Sequence, residues 1–436
     1  MEKILIITYY WPPCGGAGVQ RILKFVKYLP EFGIKPYVLT VKAEKASYPV
    51  IDETFNAEVP AEASVTRTDT FEPYEIYSGI LGKKSIPTGF SNESKPSGFQ
   101  KFSRFIRGNF FIPDARKGWI KYAFREACGI IERENIKTVI TTSPPHSVQL
   151  TGLRLKKKYN INWIADLRDP WTDIYYYNEF RHMNFAKNAD LKFEKDVIEN
   201  ADKIITVGKS LKEIFSAKSE KVNPDKIIVI TNGYDEEDFP EPESAAACPE
   251  NEFIITYTGT LAESYNPGVF FTALKKVKDK YPGKKFRLRF IGNPASSVTE
   301  QIKSISLGSI LEVIPTVTHD KSVGYLLQSS ALLLVIPDIK NDKGILTGKL
   351  FEYLAARKPV ICIGPEDGDA AQIIAECGAG KTFGRNSGEE ISEFIEELVF
   401  QKESLLISGE KNNTYKKYSR INQTKELSEI IRNFKK

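Results

Sequence analysis

Apolar residues along this chain come in short runs, and the stretches between them carry helical spacing. Ile4-Leu5-Ile6-Ile7 opens a run over residues 4–9, and others follow at 37–41, 138–142, 162–166, 203–207 and 227–231. Such runs, bounded by Gly, Pro and polar residues, read as strands buried on both faces. Between them, residues 20–29, 117–134 and 147–159 repeat apolar positions every three or four residues, the period of a helix packed on one side. Strand and helix alternate, which predicts a parallel, doubly wound sheet. The pattern lapses at 236–251, where Glu, Pro and Ala dominate, so this stretch reads as a linker. It then restarts with strands at 253–258, 286–291, 310–314, 332–337 and 360–364 and helices at 268–280 and 299–306. The expected fold class is α/β, with two doubly wound, Rossmann-like domains facing a cleft. Residues 1–240 form the first domain and 241–415 the second, and a last helix within 416–436 is free to return to the first.

The 436 residues are long for one core, which agrees with two domains. A net charge of +5 over this length does not call for nucleic acid. Five scattered cysteines without C-x-x-C spacing, and three histidines, point to a reducing compartment and to no metal centre. The N-terminus enters a strand without the apolar core of a signal peptide, and no run of about 18 apolar residues occurs. A cytoplasmic protein is expected.

Candidate chemistry concentrates in two places. Thr347-Gly348-Lys349-Leu350-Phe351-Glu352 opens a helix after the 332–337 strand. Lys349 and Glu352, at i and i+3, share a helix face. With the N–H groups of the helix start, a cation and a carboxylate suit a diphosphate and a ribose. The competing reading is a solvated surface pair. Near the N-terminus, Pro12-Pro13-Cys14-Gly15-Gly16-Ala17-Gly18 follows the first strand. Gly15 and Gly16 permit close approach to a phosphate, or simply a tight strand-to-helix turn. The third glycine of G-x-G-x-x-G is missing, no carboxylate ends the second strand, and there is no P-loop motif.

These segments together resemble the GT-B glycosyltransferases, specifically family 4. The resemblance rests on the Pro12–Gly16 loop, on Asn232-Gly233-Tyr234-Asp235 through Phe239, on Tyr257-Thr258-Gly259-Thr260-Leu261, and on the helix from Lys349 with Glu376-Cys377-Gly378-Ala379-Gly380. It implies a retaining hexosyl- or N-acetylhexosaminyltransferase, with a nucleoside diphosphate sugar held mainly by the second domain and neither a cofactor nor an essential metal. Glu352 matches the ribose-binding glutamate. Lys349, Thr347 and Gly348 fall beside the diphosphate, as do Gly15 and Gly16 and the Gly259-Thr260 loop. Two positions depart from the family. Gly344 stands where a donor-sugar glutamate is usual, and no cation follows Leu261. Lys349 or Lys343 must then carry more of the leaving-group charge, or Arg168 must reach it.

On the acceptor side, Asp166-Leu167-Arg168-Asp169 ends a strand, and Ser143-Pro144-Pro145-His146 ends another. Asp169 is expected to orient or deprotonate the acceptor hydroxyl and Arg168 to hold an anion; a buried Arg–Asp bridge is the alternative. His146 reads as a satisfied histidine at a helix start. Residues 99–125 interleave Lys101, Arg104, Arg107, Arg116, Lys117, Lys121 and Arg125 with aromatics against one acid, Asp114. That composition suits an anionic membrane surface or a solvated, packed face. The expected partners are a nucleotide sugar and a saccharide or lipid-linked saccharide, with peripheral contact at the inner membrane face, no nucleic acid, and a role in surface polysaccharide synthesis. A nucleotide-sugar 2-epimerase of the same fold, or a scaffold that has lost activity, are the rival readings.

Overall fold

The apolar runs divide between two faces. In β1 (Glu2–Ile7), Ile4 and Ile6 join one core cluster while Leu5 and Ile7 join another. In β11 (Ala331–Val335), Leu332 and Leu334 part from Leu333 and Val335 in the same way. Successive strand side chains point to opposite faces, so a continuous run is what a sheet covered on both sides requires.

The computed structural model describes residues 1–72, 98–239, 251–400 and 413–434. Most of the linker assigned to 236–251 therefore lies outside the described residues. The chain forms two compact units, Met1–Thr231 with Arg420–Lys436, and Asn232–Ser419. Among the described residues, the first holds a seven-stranded parallel sheet in the order β3-β2-β1-β4-β5-β6-β7. Its strands are β1, β2 (Ile34–Val41), β3 (Ser64–Thr68), β4 (Thr138–Ser143), β5 (Asn162–Leu167), β6 (Lys203–Thr206) and β7 (Ile227–Val229). The second holds a six-stranded parallel sheet in the order β10-β9-β8-β11-β12-β13. These are β8 (Glu252–Thr258), β9 (Lys285–Ile291), β10 (Leu311–Ile314), β11, β12 (Val360–Ile363) and β13 (Gly380–Phe383).

Helices cover both sheets. In the first unit they are α1 (Ala17–Tyr28), α2 (Gly98–Phe110), α3 (Ile120–Glu134), α4 (Ser147–Lys158), α5 (Asn184–Asn200) and α6 (Lys209–Ser216). In the second they are α7 (Gly268–Lys280), α8 (Ser296–Ser304), α9 (His319–Leu327), α10 (Gly348–Ala356), α11 (Asp369–Cys377) and α12 (Gly388–Phe400). The last helix, α13 (Arg420–Asn433), belongs to the first unit, where Leu427, Ile430 and Ile431 share a core with Ile22, Leu23 and Leu29.

Residues 232–239, counted with the first domain on sequence, sit in the second unit. Tyr234 is buried in its core with Leu326, Phe351 and Tyr418, and its N–H donates to the Tyr418 carbonyl at 3.2 Å. Asp235 caps the short turn Glu236–Asp238 by accepting from the Glu237 N–H, and Phe239 meets Tyr234 edge-on at 6.1 Å. The Asn-Gly-x-Asp motif is thus the joint at the start of the second unit.

Each sheet reverses strand order once, between β1 and β4 and between β8 and β11. The loops leaving the carboxyl ends of such a strand pair diverge and leave a crevice, the usual ligand position in open α/β sheets. The segments singled out on sequence leave these strands or the next one along.

Candidate functional site

In the second unit, Gly259 and Thr260 follow β8 as an exposed loop. Gly259 has φ +91°, and a Cβ there would stand 2.8 Å from Lys349 Cε. A side chain at 259 is therefore strained by the backbone conformation, and it would push the end of the lysine aside. Behind it, a Cβ on Gly292 (φ +124°) would lie 2.6 Å from the Gly259 carbonyl oxygen, so β9 also demands a glycine. Thr347 occupies the N-cap of α10, with Gly348 first in the helix. Thr347 makes no side-chain cap bond, and its Oγ1 is buried without a partner among the described residues.

Lys349 lies over the Tyr257 ring, 4.1 Å from its centroid, and donates to Tyr257 Oη at 2.6 Å. Tyr257 in turn donates to the Thr260 carbonyl at 2.7 Å, so one phenol ties the lysine to the Gly259 loop. Burial pulls the Lys349 ammonium down to about 8, with nearby Glu352 acting in the other direction. Glu352, half-buried, has Oε1 3.2 Å from His319 Nε2, and His319 Nδ1 is 3.9 Å from Asp238. Lys349, Gly259, Thr260, Thr347, Gly348 and Glu352 are thus brought to one end of the sheet. Lys343 is exposed and pairs with Asp367, and Gly344 is buried at the end of a short turn.

Sequence reasoning missed three members of this neighbourhood. Tyr257 is hidden inside a strand run, and His319 opens a helix with no recognisable motif. Arg385, after β13, donates to the Pro337 carbonyl at 3.1 Å and to Asp342 at 2.8 Å, so it fastens the loop between β11 and α10. Only its place after an apolar run signals it.

In the first unit, Gly16 (φ +91°) is the N-cap of α1. A Cβ on Gly15 would meet Asp52 Cβ at 2.9 Å, because the Gly15 N–H donates to the Val50 carbonyl and Asp52 N–H to Pro13. Arg168 donates from Nε to the Ser143 carbonyl (2.8 Å), from Nη1 to Gly18 (2.8 Å) and from Nη2 to Pro144 (3.4 Å). The guanidinium is a strut that joins the glycine loop to the end of β4. Among the described residues it forms no side-chain hydrogen bond to Asp169, so the alternative Arg168–Asp169 bridge is not what holds it. The buried ion pair of this region is instead Arg21 with Asp166, at 3.1 Å. Arg21 also donates to the Ile230 and Thr231 carbonyls, and Thr142 donates to Asp166 at 2.7 Å.

Beside the strut lies a pocket of about 460 Å³. Gly15, Gly16, His146, Asp169 and the rings of Tyr10, Trp171 and Tyr176 line it. Burial pushes the Asp169 carboxyl above the usual range, with Arg168 pulling it back. Beyond that attraction, the carboxylate makes no side-chain hydrogen bond among the described residues. His146 stacks on Trp171 at 4.4 Å, its imidazole is pulled down to about 3 by burial, and its Nδ1 is buried and unpartnered among the described residues. Trp171 Nε1 and Tyr177 Oη donate to Asp190, which burial pushes up to about 6. Flat rings with a few polar groups form a surface suited to sugar faces and hydroxyls.

No protein-family model matches the sequence, and no curated protein matches it. Solved structures do match along the whole chain. A glycosyltransferase from Rickettsia africae is similar at 15% identity with a TM-score of 0.62, covering 100% of this chain and 99% of its own. The fold is GT-B. HepE of Anabaena, solved with UDP-glucose, is similar at 10% identity and TM-score 0.61, over 99% and 100% of the two chains. A protein from Listeria monocytogenes described as a putative UDP-N-acetylglucosamine 2-epimerase is similar at 12% identity and TM-score 0.54, over 98% and 94%. Among the described residues no helix is long and apolar enough to cross a membrane, and no group of three His, Cys, Asp or Glu side chains stands in position to hold a metal ion.

Proposed function

We propose that the protein is a retaining glycosyltransferase of the family 4 kind. It moves a hexosyl or N-acetylhexosaminyl group from a nucleoside diphosphate sugar to a saccharide acceptor in surface polysaccharide synthesis, without a metal. The observation that carries this reading is Lys349, a half-buried cation at a helix start, held by Tyr257 beside a glycine whose positive φ disfavours any side chain. A buried ammonium pulled down to about 8 gains most from a ligand that brings negative charge. A glycine loop and unpaired helix N–H groups are the complementary donors for a diphosphate.

The second unit supplies the donor side. Lys349, the start of α10 and the Thr347 hydroxyl stabilise the departing diphosphate as its bond to the anomeric carbon breaks. Glu352 accepts from the ribose hydroxyls, with His319 orienting its carboxylate. The first unit supplies the acceptor side. The acceptor hydroxyl forms the new bond on the face the diphosphate leaves, and Asp169 orients that hydroxyl and takes its proton. Arg168 positions the glycine loop. The structural likeness to a UDP-glucose complex supports a UDP-sugar as the first donor to try.

A thermal-shift screen against UDP-, GDP-, dTDP- and ADP-sugars, followed by transfer assays, tests the reading. One donor is expected to stabilise the wild type, and Lys349→Ala and Glu352→Ala to abolish that response. If both variants keep donor binding and transfer, the site is misassigned. The likeness to an epimerase favours one second reading, which product analysis with donor alone separates, since an epimerase needs no acceptor.

A further inference from the structure

The segment Glu376-Cys377-Gly378-Ala379-Gly380, singled out on sequence, takes no part in the site around Lys349. It lies at the opposite ends of the strands, where Pro359 leads into β12 and Gly380 opens β13. Ligands of open α/β sheets meet the carboxyl ends of strands, so a cavity at the amino ends calls for its own explanation.

Two helices finish beside one such cavity. α10 ends at Arg357 (φ +55°), whose N–H donates to the Leu354 carbonyl at 3.1 Å. α11 ends at Gly378 (φ +59°), whose N–H donates to the Ala375 carbonyl at 3.1 Å. A Cβ on Gly380 would stand 2.0 Å from the Val360 carbonyl oxygen, so β13 must open on glycine to pair with β12. The space left between these ends and Phe394 of α12 measures about 120 Å³. An apolar cavity of roughly 150 Å³ takes benzene.

Leu354, Cys377 and Phe394, each at most 3% exposed, form the floor. Arg357 and Lys381, both exposed, and the half-buried Lys358 form the rim. No acid lines the cavity among the described residues. Lys381 lies over the Phe394 ring, 4.9 Å from its centroid. Its pair with Glu397, at 3.4 Å, is exposed and open to competition by a ligand. Glu376 is taken up by Lys417 and by the Tyr418 hydroxyl, which donates at 3.2 Å.

Arg357 itself points to a ligand. Glycine is the unstrained residue in the left-handed conformation after a helix, and an arginine there is strained. Lys358 beside it already supplies the cation that a helix end favours, so the arginine has a use outside the helix. The lining offers no chemistry. Burial pushes the Cys377 thiol up to about 12, with Glu376 adding to the effect, so it is no nucleophile at neutral pH. Neither histidine nor carboxylate is at hand among the described lining residues. An occupant is held, not transformed.

We infer that this cavity is a second ligand site, for a small organic anion whose apolar body, the size of a single ring, fills the floor while its carboxylate or phosphate meets Arg357, Lys358 and Lys381. Arg357 and Lys349 lie about 12 Å apart along α10, so the two sites are separate. The inference does not rest on the glycosyltransferase reading.

The test is calorimetric titration of the full chain with phenyl phosphate and benzoate, which carry the two head groups, and with benzyl alcohol as the uncharged control. At least one anion is expected to bind saturably, about tenfold or more tighter than the alcohol. Arg357→Gly suits the backbone, so Tm is expected to hold or rise while the anion binds about tenfold more weakly. Lys381→Gln, at an exposed site, is expected to weaken the anion by about threefold. Lys349→Ala is expected to bind it like the wild type. The inference is overturned by a wild type without saturable binding, by an alcohol that binds as tightly as the anions, or by anion binding that neither rim variant weakens. Binding lost in Lys349→Ala and kept in Arg357→Gly overturns it too, because the anion then sits beside Lys349.

Discussion

Arg21 and Lys349 are both cations drawn out of water, and the protein treats them in opposite ways. Arg21 is fully buried in the first unit, paired with Asp166, and bonded to two carbonyls at the end of β7, while Thr142 satisfies the carboxylate. Lys349 in the second unit has a phenol and a ring face for company, and its nearest acid already faces His319. A charge whose partners are all present holds strands together. A charge with incomplete partners sits at a cost that an anionic ligand can offset. The same contrast recurs three residues apart along one chain segment, where Asp166 is saturated and Asp169 lies open to the pocket. Burial alone therefore does not tell these charges apart; the completeness of the partner set does.

The strongest way to break this comparison is Arg21→Leu. It leaves Asp166 buried and unpaired, and is expected to cost roughly 3–5 kcal/mol. That corresponds to a fall in Tm on the order of 10 °C, read by calorimetry. A change within a degree or two would show that the pair is not structural. Next is Asp169→Asn, which keeps the shape of the open carboxylate and removes its ability to take a proton. Transfer should slow by about a hundredfold or more with donor affinity unchanged; equal losses in both would make Asp169 a binding group.

Lys349→Met should weaken donor binding by roughly a hundredfold. Because the ammonium is desolvated, the unliganded protein should melt no lower than wild type. A clear drop in Tm would place Lys349 beside Arg21 as a structural cation.

The smallest effect is in pH. Lys349 loses its proton near pH 8 in the folded protein, below the ordinary lysine range. Donor affinity should fall up to about tenfold per pH unit above 8, while this residue's contribution to stability rises over the same interval, because the unfolded chain binds the proton more tightly. Lys349→Arg, whose guanidinium stays charged, should remove that limb from titrations of donor binding.

The central strands were legible because each carries a continuous apolar run. β3 and β13 were not: Ser64-Val65-Thr66-Arg67-Thr68 and Gly380-Lys381-Thr382-Phe383 are edge strands, largely half-buried or exposed, and their polar side chains leave no such run. The Lys349–Glu352 pair was legible because its spacing is local to one helix. Tyr257, 92 residues from Lys349, was not, nor was His319 beside Glu352. Arg168 and Asp169 were visible as charges at a strand end. That one would brace carbonyls and the other line a pocket was not.

What the sequence determines by itself is the alternation of buried strands and amphipathic helices, its lapse and restart, and the helix start bearing Lys349. Those follow from hydrophobic period and backbone preference, which act over a few residues. The tertiary structure decides which charges are completed and which are left wanting. Asp166 finds Arg21 across 145 residues, and the last helix completes the core of the first unit from the far end of the chain. The partners that settle a buried charge are chosen by strand order and packing, and no local pattern encodes them.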